Sequence, residues 1–139
     1  MTNDVASLRN RKKTRNPIEA KEAIDDFFRD LEYLADVVMV EGPRDVEALR
    51  NLGFEGRVTI CSRVGVSDAD LVESLADGAL KVVILTDFDE EGRELNRRLS
   101  RLFERRGVKI EKGLRREAGR LMAYVGVYAI EALDDAVPL

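Results

Sequence analysis

"KVVILTDFDEEGRELNRRL", residues 81–99, runs from a continuous apolar stretch directly into a crowd of carboxylates. Residues 81–86 read as a buried strand and residues 94–99 as helix. Between them stand Asp87, Asp89, Glu90 and Glu91, close enough in sequence to repel one another. Working outward, the same alternation of strand and helix recurs. Upstream, Asp36-VVMV-Glu41 and Arg57-VTIC-Ser62 are short β-branched runs; downstream, 108–110 is a shorter one. Helices separate them: one begins at Pro43 and ends at Gly53, a second spans 68–77 behind the capping pair Ser67 and Asp70, and a third spans 91–106 and stops at Gly107.

Strands that are apolar throughout, with helices between them, belong in a parallel sheet covered on both faces. Right-handed crossovers then bring every strand C-terminus to one edge. Ligands of open α/β sheets bind at that edge, where the strand order reverses. The first strand ends in Glu41-Gly42 and the third in Asp87-Phe88-Asp89. Setting these two strands side by side at the reversal predicts the order 2-1-3-4 and makes Glu41, Asp87 and Asp89 converge. The predicted fold class is α/β: a Rossmann-like, four-stranded parallel sheet flanked by helices, with extra N- and C-terminal helices.

The ends of the chain add to this centre. Residues 1–16 are polar, basic and aperiodic, and are expected to form a flexible tail. Pro17 opens an N-terminal helix over 17–34, whose apolar positions from Ile18 to Leu34 recur at helical spacing. Residues 113–139 form a helical extension, mainly helical from Leu114 to Leu133, with Leu121, Val125, Tyr128 and Leu133 expected on its apolar side.

Composition bounds the chemistry. A chain of 139 residues with 45% hydrophobic and 36% charged residues suits one globular domain with a real core. No apolar run is long enough to span a bilayer, and the N-terminus lacks the apolar core of a signal peptide. One cysteine, Cys61, makes no disulfide, so a cytoplasmic setting is expected. The absence of histidine removes Ser-His and Cys-His nucleophiles and every histidine-bearing zinc site. Clustered carboxylates repel unless a cation sits among them, and oxygen-only donors favour a hard ion, Mg²⁺ or Mn²⁺, as one or two ions. The helix dipole accounts for Glu90 and in part for Glu91; it does not account for Asp87, Asp89 or the Glu41 that ends a separate strand.

The net charge of −4 conceals two basic regions. Residues 1–16 carry Arg9, Arg11, Lys12, Lys13 and Arg15 against Asp4, and residues 97–120 carry ten basic groups against three glutamates. Such asymmetry suits a surface that meets polyanions.

"VVMVEGPRDVEAL", followed some forty residues later by "VVILTDFDEEGREL", resembles the Toprim domain over roughly residues 35–112. That domain is shared by type IA and type II topoisomerases, bacterial-type primases and several nucleases, and "DFDEEGRE" is similar to the acidic signature of type IA topoisomerases. The resemblance implies that Glu41 is the general acid/base near the scissile phosphate, that Asp87 and Asp89 hold Mg²⁺, and that Glu91 is a third acid. Many relatives have Lys directly after the Glu-Gly pair; here Pro43 stands there, followed by Arg44 as the candidate phosphate-facing cation. A topoisomerase needs a strand-gating domain and a primase a polymerising one, for which this length leaves no room. What remains is similar to the small stand-alone Toprim proteins of archaea.

Two function classes remain open. One is a metal-dependent nuclease. The other is a non-catalytic Mg²⁺-dependent adaptor that binds nucleic acid or ribonucleoprotein, in an RNA-processing or ribosomal complex. Both use the RNA or DNA phosphate backbone, and both draw affinity from Arg44 and the basic tail. No aromatic platform of the RNA-binding kind is visible, which argues against base-specific readout.

Overall fold

The computed structural model describes residues 16–137 apart from 63, 79 and 80. In chain order its elements are α1 (Pro17–Leu34), β1 (Val37–Val40), α2 (Pro43–Asn51), β2 (Val58–Ile60), α3 (Asp68–Ala76), β3 (Lys81–Ile84), α4 (Glu90–Arg105), β4 (Lys109–Ile110), α5 (Lys112–Val125), a 3₁₀ turn (Ile130–Ala132) and α6 (Leu133–Ala136). The four strands form one parallel sheet in the order β2-β1-β3-β4. The strand reversal therefore falls between β1 and β3, as predicted.

Unbroken apolar strands are needed because each residue in turn serves a different face. Val38, Val40, Val83 and Leu85 point into the core under α1, α2 and α5. Val37, Met39, Val82 and Ile84 point into the core under α3 and α4. All eight are buried. At roughly 1.5–3 kcal/mol for each fully buried aliphatic side chain, this two-sided burial is the main term holding the sheet. Capping fixes where helices begin: Asn16 Oδ1 accepts from the Ile18 amide at 2.8 Å, and Ser67 Oγ accepts from the Asp70 amide at 3.1 Å.

β4 is only two residues long and pairs with β3 at Lys81 and Val82 alone. The upper half of β3 thus has no strand neighbour on that side.

The C-terminal region departs from expectation. The helix that begins at Lys112 ends at Val125, where Gly126 adopts the left-handed region (φ 93°) and caps it. The chain then turns through the 3₁₀ segment into α6 instead of continuing to Leu133 as one helix. Leu121, Val125 and Leu133 are buried as expected, but Tyr128 is 74% exposed. Apolar periodicity carried across the glycine sets Tyr128 on an inner face; the break turns it outward. The basic tail residues Arg9, Arg11, Lys12, Lys13 and Arg15 lie outside the described residues.

Candidate metal centre

Glu41 follows the last residue of β1, and Asp87 follows the extension of β3. Met39 pairs with Ile84, so the parallel register carries both chain ends to the same height. There Glu41 Oε2 accepts from the Asp87 amide at 2.7 Å, which ties the two strand ends together. Asp89 is the N-cap of α4, and its Oδ1 accepts from the Gly92 amide at 2.8 Å. The tight turn into α4 depends on Gly92. A Cβ there would lie 2.0 Å from the Asp87 carbonyl oxygen, so no larger residue fits without moving the site's backbone. The buried Thr86 hydroxyl donates to the Gly92 carbonyl at 2.6 Å and locks the same turn.

One carboxylate oxygen each from Glu41, Asp87 and Asp89 lies within 4.8 Å of the others. Burial first, and then the charges of Glu41, Asp45, Asp89 and Glu131, push the Asp87 carboxyl up to about 7. Three half-exposed or exposed carboxylates at this spacing, with oxygen donors only, are a group that could hold a hard divalent cation. The nearby Cys61 thiol is buried and pushed up to about 12 by desolvation, then by Glu41, Asp68 and Asp45. It stays protonated and is no nucleophile.

Two supporting residues were not singled out by sequence reasoning. Asp45, 5% exposed, accepts from the Gly42 amide at 3.0 Å and from the Glu131 amide at 2.9 Å. It therefore fixes the turn after Glu41 and sews the C-terminal segment beneath it. Burial raises its pKa, against the lowering effect of those two backbone bonds. Its position three residues after the N-cap of α2 is a capping-box signal that could have found it. Arg115, on α5, occupies the place where β4 stops. Its guanidinium donates to the Ile84 and Thr86 carbonyls at 3.0 Å each, to the Thr86 hydroxyl at 3.2 Å and to the Asp87 carbonyl at 3.2 Å. It also stacks 4.3 Å from the centre of the Phe88 ring. Burial, then Arg93, pulls its pKa down to about 10, while Glu41 and Asp87 act in the opposite direction. Nothing local in the sequence marks this arginine among its basic neighbours.

Glu91 is exposed on the first turn of α4 and outside the trio; it shares an open depression with Glu41, Arg97 and Arg98. Arg44 is exposed and lines a different depression with Glu47, Glu131 and Asp134. Among the described residues, no helix is long and apolar enough to cross a membrane.

A UPF0292 protein of Thermococcus onnurineus is 38% identical over 100 residues, covering 72% of this chain and 71% of its own. A UPF0292 protein of Pyrococcus horikoshii is 37% identical over 112 residues, covering 81% of this chain and 80% of its own. A solved structure of a protein from Aquifex aeolicus superposes with a TM-score of 0.64 over 84% of this chain and 97% of that one; at 24% identity it speaks to the fold alone. The family described as the Toprim domain matches residues 36–120, which span β1 to the middle of α5 and include all three clustered carboxylates. By that match, and by its likeness to the small UPF0292 proteins of archaea, the chain belongs to the Toprim domain family.

Proposed function

We propose that the protein is a Mg²⁺-dependent phosphodiesterase acting on nucleic acid. The convergence of Glu41, Asp87 and Asp89 at the strand reversal carries this reading. Asp87 and Asp89 would hold Mg²⁺, or Mn²⁺ in its place, as one ion or a pair, with Glu41 alongside and Glu91 at the rim. Bound there, the cation supplies electrophilic activation of a phosphodiester and charge stabilisation on the leaving oxygen. One Glu41 oxygen is held by the Asp87 amide, which orients the carboxylate for proton transfer to or from water or the leaving group. With Arg44 turned to another depression, Arg97 and Arg98 are the cations that share a concavity with Glu41. A cytoplasmic setting fits the single, buried, free thiol of Cys61.

A second reading has its own observation. Pro43 stands where many relatives carry Lys, and the neighbouring Arg44 lines a depression apart from the one that Glu41 lines. That favours a non-catalytic adaptor, in which the cation bridges phosphate without cleavage in an RNA-processing or ribosomal complex.

Incubation of purified protein with labelled RNA and DNA, in Mg²⁺, Mn²⁺ or EDTA, separates the two. The phosphodiesterase reading expects cation-dependent cleavage that Glu41→Gln lowers by about 10²–10⁴-fold, with affinity nearly intact. Equal binding by both proteins and cleavage by neither gives the case to the adaptor.

A further inference from the structure

Positive charge gathers in a cleft between α4 and α5. These helices cover opposite faces of the sheet, and the short β4 leaves the edge between them open. The cleft has two lobes, of about 480 and 450 Å³, that share Phe88, Arg116 and Gly119. One wall carries Arg93, Arg97 and Arg101 at four-residue spacing on α4. The other carries Lys112, Arg116 and Arg120 at the same spacing on α5. Four-residue steps on a helix put successive cations about 6 Å apart along each wall.

Arg97 is paired with Glu94 and Lys112 with Glu104. Arg93, Arg101, Arg116 and Arg120 form no ion pair among the described residues. Two facing rows of cations with four members unpaired repel one another, and a line of external anions between them would remove that cost. The floor is as telling as the walls. Phe88 lies between Asp87 and Asp89 in sequence, and Arg115 in the same cleft donates to the Asp87 carbonyl, so the cleft adjoins the segment that carries two of the carboxylates. At the outer lobe stands Tyr128, a residue 74% exposed, its backbone carbonyl accepting from the Phe88 amide at 2.9 Å.

We propose that this cleft is the track for a single strand of nucleic acid, with its phosphates between the two rows and a base stacked on Tyr128. The inference rests on the nucleic-acid reading above and names the form of the substrate. Lobes of this size admit a sugar–phosphate chain and not the body of a duplex. A tyrosine face exposed at the cleft mouth can stack only on a base that has no neighbour in a helix. Stacking of this kind is indifferent to sequence, in keeping with the absence of a base-reading platform.

The test is fluorescence anisotropy of the full chain with short labelled single strands of RNA and DNA and with the matching duplex. EDTA is present throughout, so the outcome does not depend on the cation site. The single strands are expected to bind about ten-fold or more tightly than the duplex. Arg116→Ala with Arg120→Ala should weaken single-strand binding by about ten-fold or more. It should also flatten the salt dependence by about 0.7 log units for each phosphate that the variant no longer neutralises. Tyr128→Ala should cost about ten-fold, the size of one base–aromatic stack. Arg57→Glu, just ahead of β2 on the opposite edge of the sheet, controls for net charge and should bind as the parent does; melting curves verify that each variant folds. Equal affinity for the duplex overturns the single-strand inference. Parent-like binding by the Arg116/Arg120 variant overturns the cleft while leaving the nucleic-acid reading standing. A parent protein that binds no nucleic acid overturns both.

Discussion

Asp87 carries the largest electrostatic burden in the site, because burial and four neighbouring acids oppose its ionisation. A divalent cation bound only by the folded state should therefore raise the melting temperature by mass action. Asp87→Asn keeps the shape and removes the charge. It should abolish that rise in Mg²⁺ and Mn²⁺ titrations followed by calorimetry, and should melt higher than the parent in EDTA. An unchanged cation response in the variant would remove Asp87 from the site. Gly92 makes a steric counterpart. Gly92→Ala sets a methyl group against the Asp87 carbonyl, an immovable backbone atom, so its cost should reach or exceed about 3 kcal/mol in urea unfolding, the upper end of overpacking penalties. A loss of cation response should accompany the loss of stability, since the same carbonyl belongs to Asp87. The acids were legible as residues because Glu41 and Asp87 each end an apolar run, where a core has no other use for charge. Asp45 and Arg115 were not, since their partners are backbone groups that only the folded chain brings near.

At the scale of elements, α5 stands in for a missing strand. Arg115 fills the position above β4 with a planar fork of donors, meeting the Ile84 and Thr86 carbonyls that a longer β4 would have satisfied. Arg115→Met keeps much of the stem and removes all the donors. It should cost about 1–3 kcal/mol in urea unfolding, with an unchanged slope against denaturant. Arg115→Lys should recover only part of this, because an ammonium cannot span the Ile84, Thr86 and Asp87 carbonyls as a guanidinium does. Equal stability of Met, Lys and parent proteins would show that solvent serves these carbonyls as well. The strands and their order were readable from sequence because each strand is apolar on both faces and two of them deliver acids to one edge. The end of α5 was not read. Leu121, Val125 and Leu133 keep a helical rhythm across Gly126, and rhythm alone does not reveal that the glycine turns the chain aside. Tyr128 was misplaced for the same reason.

Over the whole molecule, the raised carboxyls set how stability should vary with pH. Between the ordinary aspartate value of 3.8 and about 7, folded Asp87 holds a proton that the unfolded chain has released. Stability of the cation-free protein should thus fall as pH rises through that interval and level off above it. Asp45, also raised, adds in the same direction. With no histidine in the chain, no imidazole confuses the same window. Melting temperatures in EDTA from pH 4 to 8 should show this decline, flattened in Asp87→Asn; a parent profile that climbs over the interval would contradict it. The arginine that closes the upper edge of β3 has one more consequence, and it concerns neighbouring molecules. An exposed row of strand carbonyls is a template on which another chain can lay a strand of its own. A side chain already bonded to them leaves a visiting strand no free carbonyls along the upper half of β3. Taking that arginine away should make the protein sticky to itself before it makes it unfold, with light scattering rising with concentration at temperatures where the circular dichroism is still native.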